Sequence, residues 1–237
     1  MTEIILGCIA FTTSMTTAIF GLGGGLLLIA CMPGFVPATS IIPVHSAVQL
    51  ASNMSRAGFG FSSIRWDYTS AFFIGSIIGG ILAAKVTTFI NLEYVPLFIA
   101  AFILWNVWGP GMKLRSGFKG EFLAVGFVQT GLGLLIGATG PLGQAGLLRH
   151  GLKRDPLVVT VALFMTITHI VKITMFGLLG FSFIAHGWLI GVMILGSVAG
   201  SWVGTRLRSR IPEIRFSQIL KWLMTALALR ILYVTFA

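Results

Sequence analysis

Along the chain, long apolar blocks alternate with short polar or proline-containing links, and nowhere does the period-two alternation of a half-buried strand appear. The blocks cover residues 4–32, 41–61, 68–86, 92–108, 122–148, 157–179, 183–207 and 217–236. Six of them suit one helical crossing of a bilayer. The first and fifth are different. As one straight helix, residues 4–32 would reach about 43 Å, against a hydrocarbon core of about 30 Å. Each of these two blocks carries a glycine cluster: Gly21-Leu22-Gly23-Gly24-Gly25 and Gly137-Ala138-Thr139-Gly140-Pro141. Glycine is the poorest helix former after proline, so both blocks should break there. The first break predicts a long limb to Phe20, a turn and a return limb from Leu26, which Pro33, Gly34 and Pro37 then end. Interrupted helices at corresponding places in two halves of a membrane chain point to a transporter's binding site.

The order of segments repeats. At a constant offset of 116 positions, Gly21 and Gly24 fall on Gly137 and Gly140, and Ser52, Asn53 and Arg56 fall on Thr168, His169 and Lys172. The same offset puts Gly75, Gly80 and Ala83 on Gly191, Gly196 and Ala199. The expected fold is therefore an all-α polytopic membrane protein of two inverted repeats, each a re-entrant broken-helix hairpin plus three transmembrane helices. Residues 1–109 form the first repeat, 110–120 a cytoplasmic linker and 121–237 the second repeat.

Loop charge gives the orientation. Arg65, Lys113–Lys119, Arg149 to Arg154 and Arg206 to Lys221 all fall on one side only if the broken segments are re-entrant, and the positive-inside rule makes that side cytoplasmic. Both termini are then outside, with Lys85 the one loop exception. The first residues, Met-Thr-Glu-Ile-Ile, lack a basic n-region and are read as mature sequence.

Composition agrees with the pattern. The chain has 237 residues, 56% hydrophobic and 9% charged, with a mean hydropathy of +0.97. A net charge of +10 would suit nucleic acid, but the basic residues lie in short loops between apolar blocks and read as topology signals. Cys8 and Cys31 have no metal-site or disulfide spacing. No metal or other cofactor is called for.

The chemistry-bearing residues cluster on two spans. His45, Gln49, Asn53 and Arg56 share one helix face, as do Thr166, His169 and Lys172. All six acids, Glu3, Asp67, Glu93, Glu121, Asp155 and Glu213, fall in loops or at segment ends. Arg56 and Lys172 thus lack an intramembrane counter-ion, which suggests that the missing anion is the ligand; snorkelling to the interface is the alternative. The return limbs open with free N–H groups and positive dipole ends, and glycine lets a ligand approach them closely. Candidate substrate-binding residues are Gly21, Gly23, Gly24, Gly25, Gln49, Asn53, Arg56, Gly137, Thr139, Gly140, His169 and Lys172, with His45 and His169 as coupling candidates. The hydroxyls of Thr12, Thr13, Ser14, Thr16 and Thr17, and Gln129 and Thr130, offer neutral bonds or bond back to their own helices. The four-residue spacing of Gly196, Gly200 and Gly204, and of Gly75, Gly79 and Ala83, is helix-packing chemistry, within the protomer or in a homodimer. His150 reads as a loop residue and His186 as a capping or interfacial one.

A glycine-rich break in each half, proline-containing turns after it, and the stretch from His45 to Arg56 (HSAVQLASNMSR) with Trp66-Asp67 beyond resemble the sulfite exporter TauE/SafE family. Thr168 to Ile173 (THIVKI) is similar to that family's second repeat. The second glycine cluster departs from the family's pattern, with Thr139 and Pro141 in place of glycines. The resemblance implies movement of small sulfur oxyanions or organosulfonates, in line with the anion argument. The expected function is a secondary transporter of a small anion, sulfite-like or an organosulfonate, across the cytoplasmic membrane, with the lipid bilayer as its only other surroundings. The alternatives are an anion channel and a haem-binding membrane redox protein using the histidines. No nucleophile motif or intramembrane acid suggests an enzyme.

Overall fold

The computed structural model describes residues 1–21, 23–109, 118–208 and 216–236. Most of the 110–120 linker and the Ser209–Arg215 connection therefore lie outside the described residues. Ten α-helices follow in chain order: α1 (Thr2–Phe20), α2 (Gly24–Cys31), α3 (Ala38–Phe59), α4 (Thr69–Thr87), α5 (Val95–Trp108), α6 (Glu121–Ile136), α7 (Pro141–Arg149), α8 (Arg154–Leu178), α9 (Gly187–Leu207) and α10 (Phe216–Phe236). No strand occurs among the described residues. Four helical stretches are long and apolar enough to cross a membrane: Thr2–Phe20, Trp66–Thr87, Asp155–Leu178 and Ile184–Leu207. Helix α3 is long enough at 22 residues, but its row of inward polar side chains lowers its hydropathy.

Both long apolar blocks break where the glycines predict. Gly21 and Gly23 take φ of 76° and 84°, and Gly137 takes 90°, left-handed backbone that side chains resist. In each case the chain folds back on itself. Gly24 at the start of α2 lies against the Thr13 carbonyl and Thr17 hydroxyl of α1. The end of α7 returns to the start of α6, where Glu121, only 4% exposed, takes Arg149 at 3.1 Å and His150 at 3.0 Å. His150 lies in the turn after α7, as expected of a loop residue, and from there it closes the base of the second hairpin, because the fold-back brings it to the acid 29 positions earlier.

The two hairpins are gripped by the other half of the chain. Helix α1 lies along α9, the backbones of Gly196, Gly200 and Gly204 resting on Gly7, Phe11 and Met15. Helix α6 lies along α4 in the same manner, with Gly75 and Gly79 resting on Leu123 and Phe127. Helices α3 and α8 pack on each other at the centre, and α5 packs on α10. Gly196 packs as Gly75 does, in line with their shared four-residue spacing, whereas a side chain on Gly191 would meet no described neighbour. Of the two uses expected for the small-residue faces, within the protomer or in a homodimer, the first is the one observed: α1 and α6 of the same protomer fill them. Helix backbones this close gain dispersion and Cα–H···O contacts that larger residues would forbid.

Basic side chains collect at one end of the bundle. There Arg65 donates its backbone N–H to Thr160, Tyr68 stacks near Phe122 and His150, and Arg208 pairs with Asp155 at 2.9 Å. At the other end His186, at the N-cap position of α9, makes no capping bond with its side chain, which meets Ser40 at 3.2 Å and stacks on Phe181.

Because a Cβ on Gly200 or Gly79 would meet partner backbone rather than a movable side chain, Gly200→Leu and Gly79→Leu should each cost at least the 1–3 kcal/mol typical of overpacking, roughly. Thermal unfolding in detergent should show large losses for both. Leu195→Ala, at a position 74% exposed on α9, is the control and should leave the transition in place.

Candidate functional site

A cavity lies where the two hairpin tips meet α3 and α8, with room for water centres of about 50 Å³. A single water needs roughly 10–15 Å³ on that measure, so the space suits an ion of a few heavy atoms. It is too small for a porphyrin. Its walls include Gly21, Gly23 and Gly25 of the first tip, Gly140, Pro141 and Gln144 of the second, His45, Gln49, Asn53 and Arg56 of α3, and Met165 and His169 of α8. Four of the sequence candidates stand back from it: Gly24, Gly137, Thr139 and Lys172.

Each of those four has another partner. Gly24 is pressed against α1, as described. Thr139 donates to the Gln129 carbonyl at 2.7 Å. Lys172, fully buried, donates its Nζ to the Gly137 carbonyl at 2.6 Å. Gly137 caps the C-terminus of α6, where orphan carbonyls and the negative end of the helix dipole favour a cation. Lys172 therefore ties the second tip to α8.

Arg56 is arranged differently. It is 4% exposed and donates to the Asn53 side chain and to Ser52 at 3.3 Å, both on its own helix. Neither Arg56 nor Lys172 has a carboxylate partner among the described residues. A buried charge without a counter-ion is costly, and neutral hydrogen bonds offset only part of that cost.

The two tips also differ in their free donors. In α7 the Leu142, Gly143 and Gln144 N–H groups are taken by the Thr139 carbonyl, the Gln129 side-chain oxygen and the Gly140 carbonyl, and Pro141 has none. In α2 the N–H groups of Gly24, Gly25 and Leu26 find no acceptor among the described residues. Pro141, which has no N–H, and the Gln129 side chain, which takes the Gly143 N–H, are what close the second tip. Among the described residues, the helix N-terminus without acceptors is that of the first tip.

The hydroxyls divide as well. Thr12, Thr13, Thr16 and Thr17 bond back to carbonyls of α1, whereas Ser14 meets Ser52 at 3.0 Å. In the second half Thr130 meets Thr168 at 3.3 Å, the same contact carried over by the repeat. Gln144 was not singled out in the sequence. A lone amide in a return limb was the one signal available, and only the fold-back turns it toward the cavity.

The family model described as sulfite exporter TauE/SafE matches residues 6–231. The chain belongs to that family. Family members are membrane transporters, and the apolar helices of this chain are those of a membrane transport protein. No curated protein and no solved structure gives a significant match. The TauE/SafE match spans both hairpins and both central helices, so it includes every residue of the cavity wall.

Gly24 and Gly25 separate packing from space. A Cβ on Gly24 would strike the Thr13 carbonyl, whereas one on Gly25 would stand 3.7 Å from the Gln49 side chain, an ordinary contact. Gly24→Ala should open the first hairpin and lower the unfolding temperature sharply. Gly25→Ala should fold normally yet weaken ligand binding by narrowing the cavity; calorimetry on the two variants checks both statements.

Proposed function

We propose that this chain is a secondary transporter of a small oxyanion, sulfite-like rather than a bulky organosulfonate, across the cytoplasmic membrane. One observation carries the reading: Arg56, buried with no carboxylate partner among the described residues, faces a small cavity beside a helix N-terminus whose first N–H groups find no acceptor among those residues. Each of these features favours negative charge, and an oxyanion with several acceptor oxygens satisfies them together. Lys172 adds positive field from behind His169 while holding the second tip. The size of the cavity supports the small-ion choice.

In this reading the halves 1–109 and 121–237 are inverted repeats joined by the 110–120 linker. The exchange of hairpins between halves supports it, since α1 lies on α9 and α6 on α4. The basic end of the bundle is cytoplasmic and both termini are outside. Alternating access then follows from rocking of the hairpin-bearing pairs about the α3–α8 centre.

The topology is tested by single cysteines in a background lacking Cys8 and Cys31. Lys119→Cys and Lys153→Cys should be labelled from the cytoplasm and Ser182→Cys from outside only. Labelling of position 153 on the side of position 182 would sink the inverted arrangement.

Transport is tested in proteoliposomes. Sulfite flux should saturate and show counterflow, which a channel does not. Removing a charge-assisted bond costs about 1.5–3 kcal/mol, so Arg56→Gln should weaken sulfite binding roughly ten- to a hundredfold with little change in unfolding temperature. Arg56→Lys should recover only partly if the guanidinium grips two oxygens. Lys172→Gln should lose affinity and thermal stability together, because Gly137 then loses its cation. Unchanged affinity in Arg56→Gln would remove the basis of the reading.

A further inference from the structure

Two histidines in the cavity wall have ring nitrogens that the fold leaves unused. His45 and His169 are both fully buried, their rings 5.8 Å apart in an edge-on arrangement. His45 Nε2 lies 2.9 Å from the Gly25 carbonyl. A carbonyl only accepts, so Nε2 carries the proton, and Nδ1 of the neutral ring presents a lone pair. That Nδ1 and both nitrogens of His169 have no hydrogen-bond partner among the described residues. Buried ring nitrogens left unpaired are uncommon and costly. Here they belong to two side chains that line one small cavity.

The other polar groups of this wall differ from them. Gln49, Asn53, Gln144 and Thr17 can both donate and accept, whereas Arg56 and the α2 N–H groups without an acceptor among the described residues can only donate. An oxyanion stripped of all protons can only accept; it satisfies those donors but offers nothing to a histidine lone pair. An oxyanion that retains one O–H does both.

We propose that His45 and His169 form an acceptor pole opposite the Arg56 donor pole, and that the cavity selects the monoprotonated form of its oxyanion, an X–OH monoanion. The proposal rests on the oxyanion reading above and deepens it: the cargo crosses with its proton. The charged and titratable groups facing the pair are Lys172 on α8 and Arg56 on α3. Among the described residues the hairpins bring glycines, Ala138, Thr17, Pro141, Leu26 and Gln144 to the wall, and no carboxylate faces it.

The test is calorimetry on the purified full chain in nanodiscs, using sulfite and methanesulfonate over a series of pH values. Sulfite takes up a proton within the accessible range; methanesulfonate is a monoanion throughout and has no O–H. Sulfite affinity should fall by about tenfold per pH unit above the ionisation of hydrogen sulfite, and methanesulfonate should bind at least tenfold more weakly at low pH, with no such fall. His169→Phe keeps the ring contact with His45 and removes both nitrogens, so it should abolish the pH dependence of sulfite binding. If that variant does not assemble, His169→Gln, which keeps polarity at smaller size, should flatten the same curve. Sulfite affinity independent of pH in the native chain overturns this proposal and leaves the transporter reading standing. So does a parallel fall for methanesulfonate, which would assign the titration to Lys172. Failure of sulfite to bind at any pH overturns both.

Discussion

Inside a bilayer a broken helix has no water with which to satisfy its loose backbone ends, and every such end must find a partner in the protein or face a polar cavity. This chain breaks two helices at depth, and the polar side chains around the breaks are accounted for by that demand. Lys172 takes the carbonyl at the end of α6. Gln129 takes the Gly143 N–H, and Thr139 returns a bond to the Gln129 backbone. His45 takes the Gly25 carbonyl. Gln129 and Thr139 tie the second hairpin to itself, while His45 and Lys172 tie α3 and α8 to the hairpins.

The same demand explains the glycine faces of α4 and α9. A hairpin held by a few side chains needs its long limb anchored along its length. Gly196, Gly200 and Gly204 let the α1 backbone come within van der Waals reach of α9, and Gly75 and Gly79 do the same for α6 on α4. Lipid tails are as apolar as leucine, so burial alone would not hold these limbs. Close backbone contact does.

The breaks, the apolar spans and the polar row from His45 to Arg56 were legible because each is a local property of sequence: propensity, length and helical spacing. What required the structure were relations between distant residues. That Lys172 serves the Gly137 carbonyl, that Gly24 is a packing position and Gly25 a cavity one, and that Glu121 binds Arg149 and His150 all depend on where the chain returns after a turn. The packing faces of α4 and α9 were legible from the four-residue spacing of their small residues, while which helices they meet required the structure. Family membership could be read from short motifs because they fall on the hairpins and on α3 and α8, the elements the fold constrains most.

The unequal tips bear on how such a protein works. A repeat with two identical tips would present two free helix N-termini to one cavity, and an anion between them would be held equally by both halves. Here Pro141 has no N–H to offer, Gln129 takes the Gly143 donor, and Lys172 fastens the other end of the break. The first tip's donors find no acceptor among the described residues, and Arg56, on the adjacent helix, spends its hydrogen bonds on its own helix. The two cations at the 116-residue offset are therefore placed differently: Lys172 holds a backbone carbonyl, and Arg56 lines the cavity. Symmetry of backbone supplies two breaks, and asymmetry of a few side chains turns one into a wall and leaves the other to meet a ligand.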